Sequence, residues 1–499
     1  MKSARTRFLF ILFFAFPFRT LADVTLPSIL ADHMVVQRGL PVHVWGRSER
    51  NQSVTVSFRG ESKTATADRL GRWSVYLSPA EAGGPFQMVV QGTNTIRLND
   101  VLVGDVWVAS GQSNMEFPMT ALADPGPEIG AAQYPKIRIF KVEHRPSHFA
   151  RSDVEAKTWA LCTPETVADS SAVAYYFARD VYQKLNVPIG LVETFWGGTP
   201  AESWTSLHSL AADASLMPAF AERSAEVDEL ESNILRYEQE DRDYAKAVAQ
   251  AKAEGKPMPG KAWHRDFAAW APAALYNGMI APLTRFAIRG VIWYQGEANS
   301  GERAPLYAHL FQTMITDWRR SWDEGAFPFL FVQIANWKTG PDGRWPEVRD
   351  AQRRALELRN TGMVVTIDIG DPVDIHPKDK LDVGLRLARA ARAIAYREPL
   401  EWSGPLYRQL TREDHALRVW FDHADGLTTK GGEAVTGFEI AGADGNYRAA
   451  DAKIDGISVV VSSASVPDPV SVRYAWADNP TCNLYNRERL PASPFQAPE

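Results

Sequence analysis

Two cysteines in 499 residues, Cys162 and Cys482, are too few for a disulfide-stapled scaffold, and a chain this long does not need one to hold a core. An oxidising compartment permits a bond between them, but nothing in the sequence brings their Cα atoms within bonding range. Neither a CxxC pair nor an HExxH helix occurs, so a structural or catalytic zinc site has no support. Positive charge is also short: 54 Lys and Arg face 60 Asp and Glu, a net −6. Lys2, Arg5, Arg7 and Arg19 stand in an acid-free first 22 residues, and without that segment 50 basic residues face 60 acidic ones, a net −10. An acidic chain with no basic block lacks the counter-charge that nucleic acid or an anionic membrane surface requires. No apolar stretch reaches the about 20 residues needed to span a bilayer; the run Phe8–Phe18 has 11. Tandem repeats and low-complexity tracts are missing as well.

What is present is an ordinary globular composition, 45% apolar and 23% charged, with a rich aromatic supply of 16 Trp, 15 Tyr and 23 Phe. Aromatics in that number suit large cores and also surfaces on which sugar rings stack. Residues 1–22 have the layout of a signal peptide: basic start, short apolar run, then Thr20-Leu21-Ala22 with small residues for cleavage after Ala22. The mature chain is therefore expected to be exported, to the periplasm or outside the cell, without membrane insertion. Residues 23–100 alternate as short strands (PVHVWG, SVTVSFRG, GRWSVYLS, FQMVVQG), which predicts a small antiparallel sandwich. From 101 to 399 apolar strands alternate with helices. VWVAS precedes GQSNM, a helix over Ala172–Leu185 leads to VPIGLVET, and IRGVIWYQGE, FPFLFVQIA and MVVTIDIG follow with helices between them. That alternation predicts a parallel α/β layer. Residues 209–270, rich in Ala, Glu and Lys, interrupt it as one long helix or a hairpin whose charges read as a solvated face. Strands return over 400–499, a second β-rich region.

Four strand ends carry candidate chemistry. Ser113 in Gly111-Gln112-Ser113-Asn114-Met115 stands at the carboxyl edge of a buried strand, where α/β proteins bind ligands. Such a serine serves either as a helix cap or as a nucleophile, and Met115 in place of a second glycine argues against a GxSxG elbow and the α/β-hydrolase fold. His376 lies in Asp371-Pro-Val-Asp374-Ile-His376-Pro377, where a nearby aspartate can orient the imidazole through Nδ1 and leave Nε2 to accept a proton. Asp368, Asp371 and Asp374 lack the spacing of a calcium loop. Gln295, in Trp293-Tyr294-Gln295-Gly296-Glu297, offers an amide to a developing oxyanion. The Gly197-Gly198 turn of WGGTP, otherwise a plain turn, lets backbone N–H groups approach a bound oxygen. Each candidate ends a strand of the same expected sheet, and together they supply the parts of a hydrolase site.

GQSNMEFPM, FWGGTPAESW, WYQGEANS and DIHPKDKLDVGLRLA, in that order, resemble the sialate O-acetylesterase family, an SGNH-like group of carbohydrate esterases that is also similar to bacterial acetylesterases acting on acetylated plant glycans. The likeness covers nearly the whole mature chain and ends in NPTCNLYNRERLPASPF, departing at Arg489 where Gly is usual. It implies an SGNH-hydrolase-like parallel-sheet catalytic domain flanked by β-rich, sandwich-like regions, with an acetylated carbohydrate as substrate and no cofactor or metal. It implies Ser113 as nucleophile, His376 as general base, and Gly198 and Gln295 completing an oxyanion hole with the Ser113 N–H. The SGNH pattern usually has the acid three residues before the histidine, where this chain has Val373, but Asp374 matches the family's DIHP run, so the resemblance implies Asp374 as the orienting acid; Asp371 is the reserve, and Glu297 supports the loops. Two other readings share these residues: a lipase or thioesterase with the same site, although no long apolar lid is evident, and a glycan-binding protein in which the serine is idle.

Overall fold

The computed structural model describes residues 22–340 and 343–498, so the expected signal peptide, apart from Ala22, lies outside the described residues. Among these residues the central layer consists of six parallel strands, β1 (Thr95–Gly111), β2 (Tyr134–Lys141), β3 (Ile189–Phe195), β4 (Gly290–Tyr294), β5 (Phe329–Val332) and β6 (Thr361–Val364). They lie in the order β6-β5-β4-β1-β3-β2, and Ala160–Cys162 adds an antiparallel edge beside β2. β3 through β6 are buried along their whole length, as their unbroken apolar text requires of strands covered on both faces. Trp107, Ala109, Leu191, Ile292 and Leu330 join one core with helices α2 (Ala172–Leu185) and α7 (Lys380–Ile394). Val106, Val108, Trp293, Phe329 and Phe331, the alternate residues of the same strands, join the other with α5 (Ala304–Trp322) and α6 (Trp345–Arg354). The insertion forms α3 (Pro218–Asp228) and α4 (Leu230–Glu254), two consecutive helices parted at Glu229.

β1 has two lives. Its first half pairs antiparallel with Gly83–Gln91, and from Asp105 to Gly111 it runs parallel between β3 and β4. The border expected between residues 100 and 101 therefore falls inside one continuous strand. The β-rich start includes the antiparallel set Ser53–Phe58, Glu61–Thr66 and Gly83–Gln91 and the pair Val42–Arg47 with Arg72–Leu77. Beyond residue 400, two four-stranded antiparallel sheets enclose Leu417, Val419, Phe421, Ile440, Val461 and Phe495. Arg349 of α6, fully buried, ties this region to the central layer. It donates to Ile334 O at 3.0 Å and Ala335 O at 2.9 Å on one side, and to Ala477 O at 2.8 Å and Asp478 O at 2.9 Å on the other.

Three details depart from simple expectation. The strand read in MVVTIDIG ends at Val364, because the chain then turns out of the sheet, with the Thr366 hydroxyl donating to Gln333 O at 2.6 Å. Cys162 and Cys482 are both free, and burial pushes their thiols up, to about 12 and about 11 respectively. Arg489 accepts the left-handed conformation that glycine adopts more readily, with φ +60°, and its N–H closes the turn on Asn486 O at 3.1 Å.

Candidate active site

The order of the strands places a topological switch at β1, whose neighbours β3 and β4 are reached by connections in opposite directions. Ligands of open α/β sheets bind at such a point, beyond the carboxyl ends of the strands. Three of the four candidate motifs lie there directly. Gly111 ends β1 with φ +136°, and a Cβ on it would sit 2.2 Å from Tyr294 O, so only glycine fits where the chain leaves the sheet. Gln112 then donates its N–H to Tyr294 O at 3.0 Å and accepts the Ala298 N–H on Oε1 at 3.1 Å, joining the β1 and β4 loops. Ser113 opens the one-turn helix α1 (Ser113–Glu116), so its N–H is among the helix-start donors without an intrahelical acceptor.

His376 arrives from the other side, on the loop between β6 and α7, with Nε2 2.8 Å from Ser113 Oγ. A serine and a histidine 263 positions apart are thus in hydrogen-bond contact, the arrangement that lets an imidazole deprotonate a hydroxyl. The loop is fixed by its own acids. Asp371 accepts the Val373 and Asp374 N–H groups at 2.8 and 3.2 Å, and Asp374 accepts the His376 N–H at 2.9 Å. Asp379 caps α7 by accepting the Asp382 N–H at 3.0 Å. Asp374 Oδ1 stands 3.7 Å from His376 Nδ1, near enough for electrostatic attraction and beyond hydrogen-bond reach. Its other oxygen lies 3.3 Å from Lys378 Nζ. Burial opposes ionisation of Asp374, but the His376 N–H and Lys378 hold its carboxyl below the ordinary range. Burial, helped by the charges of Lys380 and Lys378 and opposed by Asp374, draws the His376 imidazole below its usual value. Asp368 takes no part, being paired with Arg386 at 2.7 and 2.8 Å.

Gly198 has φ +73°, and among the described residues its N–H meets no acceptor. The adjacent Gly197 N–H is taken by Glu116 Oε2 at 2.6 Å, and a Cβ on Gly197 would lie 3.3 Å from Ser113 Cβ, so this turn lies directly against the serine. Gln295 differs from expectation. Its amide is fully buried, donating to Asn299 Oδ1 at 2.6 Å and Thr199 O at 3.3 Å and accepting from the Tyr307 hydroxyl at 2.9 Å. Both ends of the amide are thus engaged within the protein, and its bond to Thr199 O ties it to the residue that follows Gly198.

Four residues without a role in the sequence reading complete the surroundings. Asn114 donates to Glu297 Oε1 at 2.5 Å and to Ile375 O at 3.0 Å, and Lys380 Nζ donates to Asn114 Oδ1 at 2.5 Å. The serine turn, the Gln295-Gly296-Glu297 turn and the histidine loop are thereby one buried network. Burial raises the Glu297 carboxyl and pushes Lys380 down to about 7. Glu116 holds Gly197 and lies 3.2 Å from His144 Nε2, while His144 stacks on Trp196 at 4.3 Å between ring centroids. The fourth, Trp263, covers Gly198: a Cβ there would lie 2.5 Å from the indole. Asn114 and Lys380 were visible in the sequence as neighbours of Ser113 and His376, but nothing in their spacing said that they would meet.

Residues 248–393 match the family described as a carbohydrate esterase, sialic acid-specific acetylesterase. The rat sialate O-acetylesterase is 31% identical over 94% of this chain and 93% of its own length. The human sialate O-acetylesterase is 29% identical over 94% of this chain and 92% of its own. The crystal structure of a carbohydrate acetylesterase from Xanthomonas citri superposes with a TM-score of 0.82 at 38% identity, covering 95% of this chain and 99% of that one. Likeness of this extent, over both β-rich flanks as well as the parallel layer, places the chain among the carboxylic ester hydrolases, as a member of the sialate O-acetylesterase family of carbohydrate esterases.

Proposed function

We propose that the protein removes acetyl groups from acetylated sugars through a Ser113 acyl-enzyme, with His376 as the proton carrier. The observation that carries this reading is the 2.8 Å contact between Ser113 Oγ and His376 Nε2 beside the glycine turn. As Oγ attacks the ester carbonyl, Nε2 takes its proton and the carbonyl oxygen becomes an oxyanion. The Ser113 and Gly198 N–H groups receive that oxyanion, while Gln295 holds the glycine turn through its bond to Thr199 O. The imidazolium, stabilised by the Asp374 carboxylate 3.7 Å from Nδ1, returns the proton to the departing sugar oxygen. Water, deprotonated by the same nitrogen, then attacks the acetyl-serine, and collapse of the second tetrahedral intermediate releases acetate and restores Ser113. Asp371 holds the loop by accepting the Val373 and Asp374 N–H groups. The basic start and the apolar run Phe8–Phe18 support export as the setting for this activity.

The deciding experiment is acetate release from an acetylated oligosaccharide by Ser113→Ala. The expected result is a loss of at least about 1000-fold in kcat with an unchanged circular dichroism spectrum. Full activity in a folded Ser113→Ala protein would overturn the proposal.

A further inference from the structure

The helical insertion reaches the serine. After α4 the chain returns toward the sheet through residues 255–270, and Trp263 lies on that return. One part of its indole rests on Gly198: the position of a Cβ there would be 2.5 Å from Cζ2 and 3.1 Å from Nε1. Gly197, the next residue back, abuts Ser113. The remainder of the side chain is open, and Trp263 is 61% exposed. An indole so exposed usually belongs to a loose segment, but this one is anchored on both sides. Lys261 pairs with Asp241 of α4 at 2.9 Å. His264 stacks on Tyr237 at 4.3 Å between centroids and lies 3.0 Å from Glu240 Oε2, and Phe267 stacks on the same tyrosine at 5.7 Å. The Trp270 ring, 6.1 Å from that of Trp263, carries the aromatic surface on to a neighbouring cleft of about 560 Å³ that it lines together with Glu202, Asn299 and Arg303.

We propose that Trp263 is the platform on which the sugar ring of the ester substrate lies, its exposed face packed against the C–H face of a pyranose while the acetyl group enters between Ser113 and Gly198. The inference rests on the acyl-enzyme reading above and extends it. Sugar rings carry one comparatively apolar face, and a flat, preorganised aromatic surface covers it at little entropic cost. The insertion thus contributes specificity to a site whose chemistry belongs entirely to the parallel layer. Lys261, His264 and Tyr237 are positioning residues for the platform.

The test compares two esters: glucose pentaacetate, which has a pyranose ring, and vinyl acetate, which has none. Trp263→Ala is expected to lower the ratio of kcat/KM for glucose pentaacetate to that for vinyl acetate by about tenfold or more, chiefly through a higher KM for the sugar ester. Trp263→Tyr should restore most of the ratio. An unchanged ratio in Trp263→Ala, whether both rates fall together or neither does, would overturn the platform and reduce the indole to a brace of the glycine turn. Failure of the underlying mechanism is distinguished separately, since it appears as retained hydrolysis of both esters by Ser113→Ala.

Discussion

At His376, desolvation and two lysines outweigh one carboxylate, and the consequence is a pH profile. In the proposed mechanism only the neutral imidazole accepts the Ser113 proton, so kcat/KM should fall as pH drops through the His376 titration. The midpoint of that acidic limb should lie below the ordinary 6.5. Asp374→Asn removes the one group that raises it and should move the midpoint lower still, measurable from kcat/KM between pH 4 and 9. The same variant should lower kcat by about a hundredfold. That is less than the about 10⁴-fold typical of an aspartate bonded to Nδ1, because here the carboxylate acts across 3.7 Å. Asp371→Asn should stay within about threefold, since an asparagine oxygen can still accept the two N–H groups it holds. A larger loss at 371 than at 374 would reverse these roles. Ser113 and His376 were legible in the sequence because each follows an apolar strand run within a distinctive motif, although the strand before His376 stops at Val364. The geometry of Gln295 was not, because which way an amide turns depends on Tyr307 and Asn299, partners reached through the folded chain.

At the level of the element, the site depends on how β1, β3 and β4 stop. Gly111 is the tightest of these stops. Gly111→Ala should cost at least about 3 kcal/mol, since its Cβ meets backbone and its φ is closed to other residues. Gly126→Ala, with nothing within 4 Å, should stay within about 0.5 kcal/mol. Urea midpoints of the two variants check the contrast. Periodicity located the helix Ala172–Leu185 and the buried strands because a covered parallel layer imposes unbroken apolar runs. It gave no hint that the insertion would do more than expose charge. The faces of α3 and α4 are indeed largely solvated, and the informative residue, Trp263, lies outside any helix, where no repeat pattern speaks.

On the scale of the whole chain, Arg349 joins two regions that the sequence presented as separate. Burial draws its guanidinium down to about 9, yet four carbonyls from both sides depend on it. Arg349→Met should destabilise the protein by about 3 kcal/mol, through the acceptors left unpaired. The unaltered chain should unfold in one transition whether followed by tryptophan fluorescence or far-ultraviolet circular dichroism. A separate early transition for the last hundred residues would contradict the bracing ascribed to Arg349. The two free thiols, each in its own packed surroundings, leave this cohesion indifferent to reducing agent.

The strand that begins at Thr95 among antiparallel neighbours and ends at Gly111 beside the serine has a practical corollary for recombination between relatives. A chimera joined at residue 100 would splice two ancestries in the middle of a single ribbon, and any mismatch in its pleat would be delivered straight to the Ser113 turn. Crossovers that exchange the first β-rich region should therefore be cut ahead of Thr95 or carried past the turn itself.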